Sequence, residues 1–398
     1  MSRHGHKQLL IAGGGIGGLA AALACAQHHL PVQLLERTTQ FAEVGAGIQI
    51  GPNVTRILQA WGLSSALSQV AAFPKQLQAR DAQTGQVLGT LPLGERTQTL
   101  YGAAYATLHR ADLHGLLHRA TQAVGVDLRM GQTLVDWRDT QDGLEVRTDS
   151  GHEVEASALI GADGVWSGVR QRCSGDGPPR LTGHLAYRAL VAQADLPAHL
   201  RSDQITVWMG PRLHVVHYPV RSGQALNLVA IVHGAEPEQA QDWDQAGHTQ
   251  ALMQAMGVVG HDLHERLASV PAWRRWVVHD RPPLSAASQM AIARVALLGD
   301  AAHPMRPYLA QGAGMAIEDA QTLAQCLSAS GASVPQQLQA YAEQRWARNA
   351  RVQTRAIRNG HIFHAQGAVA LGRNLSMRLM GERVMDVPWL YGQGPLSG

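Results

Sequence analysis

Leu9-Leu10-Ile11-Ala12-Gly13-Gly14-Gly15-Ile16-Gly17-Gly18-Leu19, continued by Val32-Gln33-Leu34-Leu35-Glu36, is the stretch that decides the fold. Lys7 to Ala12 reads as a buried strand, Gly13 to Gly18 as a turn and Leu19 to His28 as a helix. Val32 to Leu35 is a second strand, which Glu36 ends. Within this G-x-G-x-x-G turn, Gly13 permits the tight bend, Gly15 lets a pyrophosphate approach the backbone, and Gly18 lets helix and strand pack closely. The helix start offers free N–H groups and a positive dipole end to phosphate, and Glu36 can accept hydrogen bonds from a ribose diol. A glycine motif alone is weak; set between strand and helix, with an acid closing the next strand, it is specific. The apolar run could instead be read as a membrane helix, but five glycines between Gly13 and Gly18 would break that helix in its middle.

Outward from this unit, the 398 residues suggest two or three domains at about 150 residues each. With 45% hydrophobic and 16% charged residues the chain reads as a tightly wound α/β protein. A net charge of +3 is too small for an electrostatic nucleic-acid binder, and no membrane partner is expected. Cys25, Cys173 and Cys326 lie far apart, which disfavours a disulfide framework or zinc cluster and suits a reducing cytoplasm. His114 and His118 have helical metal-ligand spacing but no acidic third ligand, so no metal site is expected.

Two later stretches repeat the logic of a strand delivering a carboxylate to a crevice. Leu159-Ile160-Gly161-Ala162-Asp163-Gly164 runs on to Ser167 and Arg170, and Val295-Ala296-Leu297-Leu298-Gly299-Asp300 runs on to His303 and Pro304. Ligands of α/β sheets bind outside the carboxyl ends of the strands. No second glycine fingerprint is present, which argues against a two-nucleotide reductase fold.

With these three motifs in this order, the chain resembles the FAD-dependent aromatic hydroxylases. Gly45-Ala46-Gly47-Ile48-Gln49-Ile50-Gly51-Pro52-Asn53, Leu108-His109-Arg110-Ala111-Asp112-Leu113 and the tail Trp389-Leu390-Tyr391-Gly392 are similar to the salicylate, 3-hydroxybenzoate and 6-hydroxynicotinate hydroxylase branch. The resemblance implies a Rossmann-type FAD-binding domain (1–75, 101–178 and 284–345), an inserted antiparallel-sheet substrate domain (76–100 and 179–283) and a C-terminal helical segment (346–398). It implies FAD as cofactor, with NADH or NADPH as a transient co-substrate and O2 as oxidant, and ring hydroxylation through a flavin C4a-hydroperoxide. To the cofactor it assigns Gly13, Gly15, Gly18, Glu36, Arg37, Gly47, Gln49, Arg110, Asp163, Asp300, Gly312 and Ala313. Gly312 and Ala313 open a helix, expected from about Met315, that would aim its N–H groups at the flavin N1–C2=O edge, with Glu318 and Asp319 in its first turn. An FAD oxidase or reductase without ring hydroxylation, or a flavin-holding partner protein without turnover, are the alternative readings.

Between Leu181 and Val232 four alternating strands are expected: Gly183–Leu190, Ile205–Met209, Leu213–Tyr218 and Leu226–Val232. His214 and Tyr218 share a face of one of them, and the resemblance places both, with Tyr105, in the catalytic pocket. His214 would take the phenolic proton, its ordinary pKa suiting the task. Arg188, Trp208, Pro307 and Tyr308 are the expected substrate-binding residues, and Arg188 or Arg306 could hold a substrate carboxylate. Pro307 stands where 3-hydroxybenzoate hydroxylases carry glutamine, which favours a salicylate-like or hydroxynicotinate-like substrate. Arg345, Arg348, Arg351, Arg355 and Arg358 read as the solvated face of a long helix, with a homodimer contact as the alternative use.

Overall fold

The computed structural model describes residues 8–41, 45–234 and 244–396. Lys7, expected to open the first strand, lies outside them. Leu9–Ala12, Ala158–Gly161, Val32–Glu36 and Val295–Leu297 form the parallel heart of a six-stranded sheet, flanked by Asp127–Met130 and the short Ala291–Ile292. These strands are almost wholly apolar and buried, as a sheet covered on both faces requires. The three sequence motifs leave the carboxyl ends of three neighbouring strands. Leu9–Ala12 is also where the order of connection reverses, the place at which such sheets open a crevice.

Three helices position that crevice: α1 (Ile16–Gln27), α2 (Gly312–Leu327) and α3 (Val334–Phe363). The fingerprint glycines are sterically forced. Gly13 has φ +108°, and an ideal Cβ there would lie 2.5 Å from the Ala162 carbonyl oxygen; a Cβ on Gly18 would lie 1.8 Å from the Gly13 oxygen. Within the glycine-rich stretch from Gly45, Gly47–Ile50 is a strand, because it pairs antiparallel with Ala106–His109.

The second sheet has eight strands, and its order runs from Gln245–Gly247 through Trp273–Asp280, Arg180–Ala192, Ala225–His233, Leu213–Val220 and Ile205–Gly210 to Gln76–Asp81 and Val87–Pro92. It is antiparallel, as expected, except where Ile205–Gly210 runs parallel to Gln76–Asp81. One face (Leu213, Val215, Leu226, Leu228) packs on Leu252, Met256, Leu263 and Leu267 of two short helices. The other face turns toward the crevice.

Only part of the arginine row is a solvated face: Arg351 and Arg358 are exposed. Arg345 is buried, and it bonds Asp319 at 2.7 Å and Glu318 at 2.8 Å; Arg348 bonds Glu318 at 2.7 Å. Glu318 and Asp319 are not in the first turn of α2, which begins at Gly312, but one turn further in and fully buried. Each carries the charge that the other helix neutralises. Asn53 and Asn349 add bonds to Glu318 and Asp319, and His303 lies 2.5 Å from Asp319. Burial alone would raise the Asp319 carboxyl, yet His303, Arg345 and Asn349 hold it well below the usual carboxylate range. Arg351 keeps its place over the Trp389 ring, 3.9 Å from the centroid.

Candidate active site

The crevice has the donors that a dinucleotide needs. Gly15 caps α1 with no side chain bonded across its N-terminus, and an added Cβ there would meet nothing within 4 Å. Glu36 accepts from Gly14 N–H at 2.7 Å and from Thr38 N–H at 2.8 Å, which holds the end of its strand against the glycine turn. His114, considered for metal, lies 2.8 Å from the Gly14 carbonyl oxygen and braces the same turn. Across the crevice α2 also starts without a side-chain cap at Gln311, and the ideal Cβ of Gly312 lies 3.9 Å from Asp300 Oδ1. Gln311 Nε2 and Asn227 Nδ2 are buried without partners among the described residues. Two uncapped helix ends, an open glycine and two orphaned amide donors fit the phosphates and the polar ring edge of FAD. Arg37 and Arg110 are exposed at the rim, Arg110 beside Gly45 and bonded through its N–H to the Ala46 oxygen at 3.0 Å.

Asp163 ties its own loop. It accepts from Ser167 Oγ at 2.5 Å and Val169 N–H at 3.1 Å, and burial raises its carboxyl against these bonds. Arg170, unassigned from sequence, is buried and donates to the Ala301 and Ala302 carbonyls just after Asp300. It thereby locks the second strand-end turn to the third. Asn227 was equally unassigned; its Oδ1 accepts from Gly47 N–H at 2.6 Å and joins the second sheet to the Gly47–Ile50 strand. Parity on its strand gave a signal, since Asn227 breaks an apolar run on the crevice-facing side.

On the inner face of the second sheet, His214 and Tyr218 lie on one strand, both nearly fully buried. Tyr218 bonds Gln49, and Tyr105 donates to Gln49 Oε1 at 2.9 Å. Gln49, assigned to the cofactor, thus sits between two pocket tyrosines. Burial raises both phenols, so both remain protonated donors. Tyr308 has its ring centroid 5.0 Å from that of His214, and its hydroxyl 2.7 Å from His184 Nδ1; Pro307 before it is exposed. The Tyr308 ring lies so close to Gly360 of α3 that a Cβ there would stand 2.6 Å away.

His214 belongs to a chain. His184 Nε2 lies 3.1 Å from His233 Nε2, His233 Nε2 lies 3.0 Å from His364 Nδ1, and His364 Nε2 lies 2.8 Å from His214 Nδ1. Sheet register explains three of the four: His184 pairs directly with His233, and His214 pairs with Ile231 on the same strand. His364 arrives from the end of α3. Burial, then neighbouring His184, pushes His214 down to about 3, and His184 falls to about 4 through burial and His233. The ordinary pKa expected of His214 is therefore corrected: it is a neutral acceptor and a weak base.

Three substrate assignments change. Trp208 faces away from the crevice, because it pairs with Val215 and shares the outer face; its indole N–H donates to His217. Arg188 faces inward but bonds Asp244 at 2.5 Å, and Arg306 bonds Asp280 at 2.7 Å. Each arginine already has a carboxylate partner.

A family described as "FAD binding domain" matches residues 6–356. The chain is 38% identical to 3-hydroxybenzoate 6-hydroxylase 1 of Aquipseudomonas alcaligenes, covering 98% of both chains. It is 34% identical to 6-hydroxynicotinate 3-monooxygenase of Bordetella bronchiseptica, covering 82% of this chain and 84% of that one. Among solved structures, a salicylate hydroxylase substrate complex superposes with a TM-score of 0.82 at 26% identity, covering 98% of this chain and 96% of that one. No described helix is long and apolar enough to cross a membrane.

Proposed function

Because the chain belongs to the FAD-dependent aromatic monooxygenases, we propose that it hydroxylates a small phenolic or heteroaromatic carboxylate with NADH or NADPH and O2. The observation that carries this reading is the inner face of the second sheet, where His214, Tyr218, Gln49, Tyr105 and Tyr308 gather beside the crevice of the three motifs. Gly15 and α1 would hold the pyrophosphate, Glu36 the ribose, Asp300 the ribityl chain, and Gly312 and Ala313 the polar edge of the ring. When bound, FAD takes hydride from the nicotinamide and delivers one atom of O2 to the substrate ring. We read 76–100 and 179–283 as the substrate-facing unit, a division supported by the strands they contribute to the second sheet.

His214 accepts a hydrogen bond from the substrate phenol and so raises electron density on the ring. As a weak base it shares this proton rather than storing it. The histidine chain supports release through His364 to half-buried His233. With Arg188 and Arg306 engaged and the Tyr105 hydrogen given to Gln49, the protonated Tyr218 hydroxyl is the donor for a substrate carboxylate. Apolar walls around them (Leu91, Ile205, Met315, Leu390) exclude water.

A screen of hydroxybenzoates, anthranilate and hydroxynicotinates for stimulated NADH and NADPH oxidation, with products weighed, tests the reading. One compound should gain 16 mass units, or lose CO2 in exchange for OH, on the order of one per nicotinamide consumed. Nicotinamide consumption with every ring unaltered would favour an oxidase instead. His214→Ala should retain FAD and lower product formation about a hundredfold, with nicotinamide oxidation diverted to H2O2. An unaltered hydroxylation rate in that variant would remove His214 from the chemistry.

A further inference from the structure

Hydrogen bonding alone does not satisfy the histidine chain at its centre. His233 Nε2 has two nitrogen neighbours, His184 Nε2 at 3.1 Å and His364 Nδ1 at 3.0 Å. A neutral imidazole nitrogen either carries one hydrogen or offers one lone pair. If His233 Nε2 carries the hydrogen, one hydrogen faces two acceptors; if it is bare, one lone pair faces two donors. Three lone pairs converging on one point satisfy each other only around a cation.

The spacing suits such an ion. One ring nitrogen from each of the three histidines lies within 4.8 Å of the others. On an ion with bonds of about 2.1 Å, ligands at right angles stand about 3.0 Å apart and tetrahedral ones about 3.4 Å, so the 3.0 and 3.1 Å pairs suit it and the third pair must lie within about 4.2 Å once the ion is bound. The outer partners are in place too. A ligating imidazole donates its second N–H to a fixed acceptor. Here His184 Nδ1 faces the Tyr308 hydroxyl at 2.7 Å, and His364 Nε2 faces His214 Nδ1 at 2.8 Å. His184 and His364 are buried while His233 is half-buried, which leaves an entry path.

We propose that His184, His233 and His364 bind one divalent ion of the zinc, copper or nickel class. Three neutral nitrogens and no carboxylate select such ions against magnesium and calcium, which require oxygen. The absence of a metal site expected from sequence reflects spacing, since these residues are 49 and 131 positions apart along the chain of contacts. Occupancy has a consequence for the proposed chemistry, and this part rests on that reading. A metal-bound His364 must donate from Nε2, so His214 accepts at Nδ1 and carries its own hydrogen on Nε2. That nitrogen can no longer accept from a phenol, and the ion acts as a brake.

The test uses FAD-loaded protein freed of any histidine tag and stripped with a chelator. Zn2+ is titrated by calorimetry, and Cu2+ by electron paramagnetic resonance. One ion per chain, with nitrogen superhyperfine structure from several imidazoles, is expected. His233→Ala should weaken binding at least about tenfold, by the scale of lost ligand support, while His233→Cys, which keeps a ligand, retains it. His261→Ala, at a surface position with 86% side-chain exposure, serves as the control and should bind as the parent does. Absence of a stoichiometric ion, or equal affinity in His233→Ala and the parent, would overturn the site whatever the enzyme's substrate proves to be. In the activity arm, Zn2+ should lower kcat in the parent and leave the His233→Ala rate unmoved; bound Zn2+ with no change in kcat would overturn the brake.

Discussion

Gly15→Asp should yield a folded protein that is colourless. Gly15 already has the extended φ of −70° that an N-cap needs, and an added side chain meets open space. Aspartate is a good N-cap, so α1 should keep or slightly gain stability, by a few tenths of a kcal/mol. The same carboxylate would stand where the pyrophosphate must approach. Like charges brought together in a partly desolvated site cost several kcal/mol, so FAD affinity should fall about a thousandfold. Gly18→Ala is the contrast, because its Cβ has no room against the Gly13 oxygen and should damage the strand–helix unit itself. Equilibrium dialysis with FAD and thermal unfolding of the apoprotein separate the two effects. Yellow Gly15→Asp protein with parental FAD affinity would show that the phosphates lie elsewhere.

Arg345→Met should destabilise the fold by about 3–5 kcal/mol, because it leaves Glu318 and Asp319 buried with half their compensation gone. Methionine keeps most of the volume, so the loss reports charge rather than cavity. Denaturant unfolding measures it, and a loss under about 1 kcal/mol would mean that Arg348 and Asn349 suffice. The network also sets an acid limit. Asp319 is held below its ordinary value of 3.8, so its contribution is fully present above that pH. The contribution is lost as pH falls through the depressed value. Arg345→Met should therefore flatten the stability curve of the parent on the acid side. Parallel curves for parent and variant below pH 3.8 would refute the assignment.

The three crevice motifs were legible because each couples a strand to a glycine bend, with an acid beside the bend in the second and third and at the end of the following strand in the first. Side-chain direction across strands was not. Trp208 and His214 have the same parity, yet they face opposite ways, because antiparallel pairing of Trp208 with Val215 sets odd positions against even ones. Nothing in either strand alone states that register. The arginine row misled for a related reason. An amphipathic pattern marks charged residues as outward, but α3 buries Arg345 against acids on α2, and only the packing of two helices reveals the pairing. His364 joined His214 across 150 residues, a distance at which spacing has no meaning.

The short helix Pro388–Tyr391 closes the tyrosine wall from a place remote in sequence. Tyr391 sets its ring 5.9 Å from that of Tyr105, its carbonyl accepts from Arg56, and Arg348 holds the Trp389 and Leu390 carbonyls. The nucleotide crevice draws on the three strand-end motifs and α2, whereas the wall behind Tyr105 is supplied by this separate segment. A chain without Pro388–Tyr391 would keep every glycine and acid of the three motifs while leaving the Tyr105 wall open on one side.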